Sequence, residues 1–428
     1  MTPTPRAALA MALAGGAALA LPTGTAIAIF TAILIAISVD AWFARAAATP
    51  RRTLTTVAAR AVGVPLTVEV DDRRRHNIRL RQPLVADIAI AENEQNGAIS
   101  TVLTPMRRGQ HHIPPAIARR TGPLGLARTQ RRASRTEAAQ LTVFPDVLAA
   151  RRIAISVRRG KFRDAGVATK GALGLGTDFE AIRDYQPDDD VRQINWPATQ
   201  RLQRPMSNQY RIEQDRDVIC LVDTGRLMCA PVGERTRLDA TVDAVAAVAA
   251  VTDEVGDRCG VIAFDHEIRR NISTRRRGAD AVVRAIHDLE PRLVDSDFEL
   301  AFRSVRNTKR ALVIVLTDLL DERAAASLLA AAPVLARRHA VMVASVTDID
   351  IEALAVHDIA AGPGGRSANR VRREVAWRRF AAQRVLDDRK KVVAQLEQRS
   401  VRVVEAPPTL LPEACVRAYL QLKSRARL

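Results

Sequence analysis

Aromatic residues are scarce in this chain, at 4% of 428 positions, and its apolar content is mostly Ala, Val, Leu and Ile. That excludes an aromatic-rich β-core and favours α/β packing. Cysteine is scarcer still. Cys220, Cys229, Cys259 and Cys415 include no C-x-x-C pair, so neither a zinc ribbon nor a disulfide framework is spelled out. Cys220 and Cys259 lie in apolar runs that read as buried strands, where a free thiol behaves as a core residue. Histidine offers no metal set. His111-His112 reads as an exposed loop pair without a third ligand, and His266 and His287 read as isolated. No Ser-His-Asp or Cys-His arrangement follows from spacing, so the chain reads as non-enzymatic. Gly174-x-Gly176 lacks the Lys of a phosphate loop.

Positive charge, by contrast, is abundant. Sixty-five Lys and Arg against 47 Asp and Glu give a formal net charge of +18. Nucleic acid, an anionic membrane surface and an Arg-rich bias over solvated faces are the three readings of such a balance. The basic residues come as short clusters, such as Arg73-Arg74-Arg75 and Arg275-Arg276-Arg277, with no aromatics interleaved. No nucleic acid is therefore expected, although charge alone keeps that reading as a lesser alternative. Compositional bias together with membrane proximity is favoured. Hydrophobic residues at 47% suffice for a proper core.

From Ala7 to Val39 the chain is uncharged and mostly apolar, broken at Pro22-Thr23-Gly24. As one helix it exceeds the ~30 Å of a bilayer core at about 1.5 Å per residue. The break predicts a transmembrane hairpin in residues 1–45, with spans near Ala7–Leu21 and Thr25–Ala44. Arg6 precedes the first span, and Arg45, Arg51 and Arg52 follow the second. Both ends are thus expected in the cytoplasm, with the bulk of the chain beside them at the cell membrane. A cleaved signal peptide followed by a single anchor is the competing reading.

Residues 46–150 carry short β-like runs at Pro65–Val70, Val85–Ile90 and Leu141–Phe144, which predict a small β-sandwich. Residues 151–217 form a separate polar segment. Residues 218–428 alternate continuous apolar strands with helices, as in an open, mostly parallel sheet covered by helices on both faces. Ligands on such sheets bind beyond the carboxyl ends of the strands, and Asp223 and Asp318 fall there.

Asp223-Thr-Gly-Arg-Leu227, then Ser296-Asp297, then Leu316-Thr-Asp318 follow one another in the order of a metal-ion-dependent site. This arrangement resembles that of von Willebrand factor A-type domains, which build the site from Asp-x-Ser-x-Ser, a distant Thr and a later Asp. The resemblance implies a Rossmann-like fold and a Mg²⁺ ion. Gly225 and Leu227 stand where the two serines belong, and Arg226 brings positive charge, so the site reads as degenerate. Two readings stay open. Asp223, Ser296 and Asp318 hold Mg²⁺ weakly with waters, or the aspartates cap helix N-termini.

The most distinctive run is Asp178-Phe179-Glu180, Arg183-Asp184-Tyr185, Pro187, Asp189-Asp190, Arg192, Ile194 and Trp196. It resembles the signature of the domain-of-unknown-function 58 (DUF 58) family of bacterial proteins. The resemblance implies a von Willebrand A-like domain, often an N-terminal transmembrane pair, and a MoxR-type AAA+ ATPase as partner in assembling or activating other proteins. Taken as residues, Asp188–Asp190 predict a turn into a helix with an Asp as N-cap. Arg183 and Arg192 have carboxylates nearby, and Tyr185 and Trp196 need packing or a partner. A membrane-tethered protein-interaction module is the expectation, with an exported metal-dependent adhesion module as the alternative.

Overall fold

A computed structural model describes residues 2–19, 21–45, 49–70, 78–133, 139–159, 178–186, 189, 191–211, 216–305, 310–319, 322–356 and 366–424. Glycines 174 and 176, Pro187 and Asp190 lie outside the described residues. The chain is mixed α/β and divides into two compact units, Met1–Phe144 and Pro145–Leu428.

Strict alternation builds the first unit. In the strand Val64–Val70, Val64, Leu66, Val68 and Val70 are buried while the residues between them face outward. That strand lies in a four-stranded sheet with Pro50–Leu54, Ala98–Pro105 and Ile88–Ile90. A five-stranded and a three-stranded sheet complete the unit, and Leu80, Ile99, Leu103, Leu141 and Val143 fill a common core. Two expectations are corrected here. The alternating run Val85–Ile90 forms a strand only over Ile88–Ile90, because Asp87 takes φ 63° and turns the chain. His111 and His112 are not loop residues but sit in the strand Gly109–Ile113, opposite Leu141 and Gln140.

Two helices belong to this unit, α1 (Pro5–Ala17) and α2 (Thr23–Ala44). Only α2 is long and apolar enough to cross a bilayer, with a mean hydropathy of 2.2 over its most apolar window. At about 1.5 Å per residue, α1 reaches only ~20 Å. The expected first span therefore ends about a turn early, at Ala17.

Both open ends of the helix pair dock on one turn of the β-structure. Thr2–Pro3 pairs with the strand Ala127–Arg132. Thr4 donates its amide to the Leu126 carbonyl at 2.9 Å and its hydroxyl to the Gly125 carbonyl at 2.6 Å. At the far end of α2, the fully buried Asp40 accepts the amides of Leu124, Leu126 and Ala127, each at 2.7 Å. A Cβ on Gly122 would collide with the Asp40 carboxyl and carbonyl, so the approach depends on glycine there.

The second unit is organised by one six-stranded sheet, whose strands in chain order are β1 (Asp217–Asp223), β2 (Arg258–Phe264), β3 (Ile268–Arg276), β4 (Ala311–Leu316), β5 (Ala340–Val346) and β6 (Arg402–Ala406). Their spatial order is 3-2-1-4-5-6, a doubly wound sheet. All pairs are parallel except β2–β3. A short turn cannot return a strand in parallel, so the edge strand runs against its neighbour.

The helices are α3 (Val147–Arg158), α4 (Trp196–Leu202), α5 (Arg237–Val255), α6 (Ala279–Ile286), α7 (Phe298–Val305), α8 (Glu322–Ala336), α9 (Ile349–Val356), α10 (Arg366–Gln398) and α11 (Leu411–Ser424). Alternate residues of β1 enter two cores. Val218, Cys220 and Val222 face α3, α5 and α11, whereas Ile219 and Leu221 face α7, α8 and the end of α10. Helix α5 begins at a reciprocal cap between Thr236 and Asp239 and stops at Gly256, φ 82°.

Candidate functional site

The signature segment is an antiparallel hairpin of Asp178–Asp184 with Met206–Arg211, irregular between Phe179 and Ala181. Arg183 Nη2 meets Asp189 Oδ1 at 2.5 Å, and Asp189 Oδ2 accepts the Gln186 amide at 2.9 Å. The Gln186 amide, more than the Arg183 guanidinium, holds the Asp189 carboxyl below its usual value. Tyr185 donates its hydroxyl to the Asp189 carbonyl at 3.2 Å. Asp184 lies at the surface, 3.3 Å from Arg204.

No α-helix follows the aspartate run directly. Val191–Gln193 makes a single 3₁₀ turn, and the N-cap of α4 is Asn195, whose side chain accepts the Ala198 amide at 3.0 Å. Asp189 is consumed by the turn that it closes on Gln186, which removes it as a cap. Trp196 therefore opens α4, and it is 64% exposed. Ile182, Val191 and Leu202 are exposed as well.

At the carboxyl ends of the sheet, four parallel strands end on or lead into an aspartate: Asp223 as the last residue of β1, Asp265 after β2, Asp318 after β4 and Asp348 after β5. Asp223 is 1% exposed. Its Oδ1 accepts the Gly225 amide at 2.8 Å and the Ser296 hydroxyl, and its Oδ2 accepts the Thr317 hydroxyl at 2.6 Å. A Cβ on Gly225 would strike Ser296 Oγ and the Val294 carbonyl. The Ser296 hydroxyl thus fills the space that a side chain at position 225 would need. Leu227 contributes no ligand atom, and Arg226 turns to the exposed Asp295 at 2.5 Å.

Asp318 is engaged differently. Its Oδ1 pairs with the 3% exposed Arg237 and lies 3.6 Å from Arg389. Arg237 also reaches Asp348 at 3.2 Å, while Arg389 pairs with Glu405 and donates to Ser345 Oγ at 2.8 Å and the Val346 carbonyl at 2.7 Å. Removing one partner of such a buried pair costs about 3–5 kcal/mol, because a charge is left uncompensated. Asp265, fully buried, accepts the Glu267 amide at 3.1 Å and faces Arg269 at 3.3 Å and Arg292 at 3.8 Å. His266 stands 3.0 Å from it, and the ligand atoms of Asp265, His266 and Glu267 all lie within 4.8 Å of one another, so His266 is not isolated as its place in the sequence suggested.

Among the described residues neither aspartate of this site caps an α-helix; Asp297 does so for α7, accepting the Leu300 amide at 3.0 Å. Nor does the donor set fit Mg²⁺. The Asp223, Ser296 and Thr317 oxygens satisfy one another, and the second carboxylate already faces two buried guanidinium cations that would repel a dication. Asp223 is the only strand-end aspartate without an arginine at ion-pair distance among the described residues. Burial pushes its carboxyl above the usual value and the Asp318 charge adds to that, against hydrogen bonds from Ser296, Thr317 and Gly225.

Sequence reasoning placed Asp223, Ser296 and Asp318 but missed Thr317, Asp265, Asp348, Arg237 and Arg389. A visible signal existed for two of them, since β2 and β5 also run into Asp. The arginines gave none.

Residues 181–363 match the sequence model of the family described as Protein of unknown function DUF58. The match begins within the signature hairpin and runs past β5. A comparison with curated proteins finds no match.

Proposed function

We propose that this chain is a membrane-tethered protein-interaction module that works with a MoxR-type AAA+ ATPase, and that the signature hairpin is its contact surface. The observation that carries this reading is Trp196. A large aromatic stands 64% exposed at the first turn of a helix whose start is fixed by Asn195. Beside it, the bonds of Arg183 and Tyr185 to Asp189 hold the loop in shape. Preorganised, exposed Trp side chains are what interface hot spots are made of. The family resemblance supplies the identity of the partner.

Helices α1 and α2 form a transmembrane hairpin in this reading, the short α1 spanning where the bilayer thins around it, with both ends in the cytoplasm, where ATP is. The docking of both ends on the Gly122–Ala127 turn supports it. The sheet order and its crest of strand-end aspartates support a von Willebrand A-like domain whose metal position is taken over by internal pairs. An exported, metal-dependent adhesion module is disfavoured by the Arg237–Asp318 pair.

Binding of the purified ATPase to the detergent-solubilised full chain, measured by interferometry, tests this. The wild type should bind, and Trp196→Ala should weaken binding by roughly tenfold or more. Absence of wild-type binding would sink the proposal, and equal binding by the variant would move the contact off the hairpin.

A further inference from the structure

Helix α10 spans 33 residues, about 50 Å at the α-helical rise, well beyond the reach of the strands that it packs on. Its carboxyl half is core: Val392 and Leu396 are fully buried, and Arg389 is 7% exposed among its carboxylate and carbonyl partners. The preceding turns are different. Trp377 is 70% exposed and Phe380 is 55% exposed, with their rings edge to face at 6.1 Å. Arg373, Trp377, Phe380 and Arg384 recur at helical spacing, so two aromatics and two flanking arginines share one face. The acidic neighbours are already matched. Glu374 pairs with Arg378 at 2.6 Å, Asp387 with Lys390 at 3.6 Å and Asp388 with Lys391 at 2.8 Å. Next to it, α9 exposes Leu354 and Val356.

We propose that the Arg373–Arg384 face of α10 is a membrane-surface segment that inserts Trp377 and Phe380 among the headgroups of an anionic phospholipid bilayer. Amphipathic helices bind there when an apolar, aromatic face is bordered by arginine, since indole and phenyl rings settle at the headgroup level while guanidinium groups meet phosphate. Nucleic acid would also attract the arginines, but two aromatics at i and i+3 on a rigid helix cannot stack on successive bases along a strand-tracking groove. The proposal rests on the membrane-anchor reading, because a tether through α2 makes the surface contact intramolecular.

A single-tryptophan chain decides it. The full-length protein with Trp42→Phe and Trp196→Phe leaves Trp377 as the sole indole and is reconstituted into vesicles. The vesicles are phosphatidylcholine alone or mixed with phosphatidylglycerol, with or without brominated acyl chains. In anionic vesicles the Trp377 emission should shift to the blue and fall by roughly twofold on bromination. In phosphatidylcholine, or with Arg373→Gln and Arg384→Gln, both effects should vanish. A chain that floats with vesicles while Trp377 emits as in water, unquenched, overturns this proposal and leaves the anchor standing. Equal quenching in both lipids overturns the anionic specificity. A chain that does not float with either vesicle overturns the anchor and this inference together.

Discussion

Cys229 is a usable reporter of the strand-end crest. It is half-buried, and burial first, then the Asp223 charge, pushes its thiol above the usual value. Cys220, Cys259 and Cys415 are fully buried, with Cys415 pushed up to about 12. One fast thiol among the four is therefore expected in the native chain with a disulfide-exchange reagent, at a rate that climbs as pH rises toward the Cys229 value. Asp223→Asn should speed it by roughly two- to tenfold at fixed pH, because a neighbouring negative charge is gone. Excess Mg²⁺ should leave the rate unchanged; acceleration by Mg²⁺ that Asp223→Asn abolishes would show that a cation reaches the site after all. The same carboxyl has a sign of its own. Its folded value lies above the unfolded one, so its contribution to stability is complete below the unfolded value and is lost as pH rises through the folded one.

At the scale of elements, the Asp40 clamp has the clearest consequence. Three backbone amides converge on one buried carboxylate at the end of an apolar helix. Asp40→Ala leaves them without that acceptor, at about 1–3 kcal/mol for each amide that water does not reach. The Gly122–Ala127 turn should loosen, and limited trypsin digestion should cut faster at Arg128, with Asp40→Asn intermediate. Digestion kinetics identical to wild type would mean that the turn holds its shape without the carboxylate. Nothing in the sequence announces this clamp, because a lone Asp after Ile-Ser-Val reads as the edge of a span. Local signals did expose the elements themselves: the Ala/Val run of α5, the apolar strands β1, β2, β4 and β5, and the alternation of Val64–Val70. They failed where a single dihedral decides, as at Asp87, and where a helix is short. Helix α9 escaped notice although Asp348 marks its start by accepting the Asp350 amide at 3.1 Å. The arginine partners of Asp318 come from α5 and α10, far along the chain. A pairing made only by the tertiary fold leaves no pattern in either segment.

For the whole molecule, the testable statement is orientation. A reporter fused after Leu428 should be active only when it needs the cytoplasm, and an active periplasmic reporter would remove both the hairpin and the ATPase from consideration.

The pairing of Thr2–Pro3 with Ala127–Arg132 also sets a timetable. Thr2 lies 126 residues before Arg128, to whose side chain its hydroxyl is bonded at 3.2 Å. At ribosomal rates of about 5–20 residues per second, the two emerge about 6–25 s apart. A helix forms within about a microsecond of leaving the ribosome. The two apolar helices thus spend most of that interval complete and without the turn that will hold them, and the sheet closes around ends that are already in place.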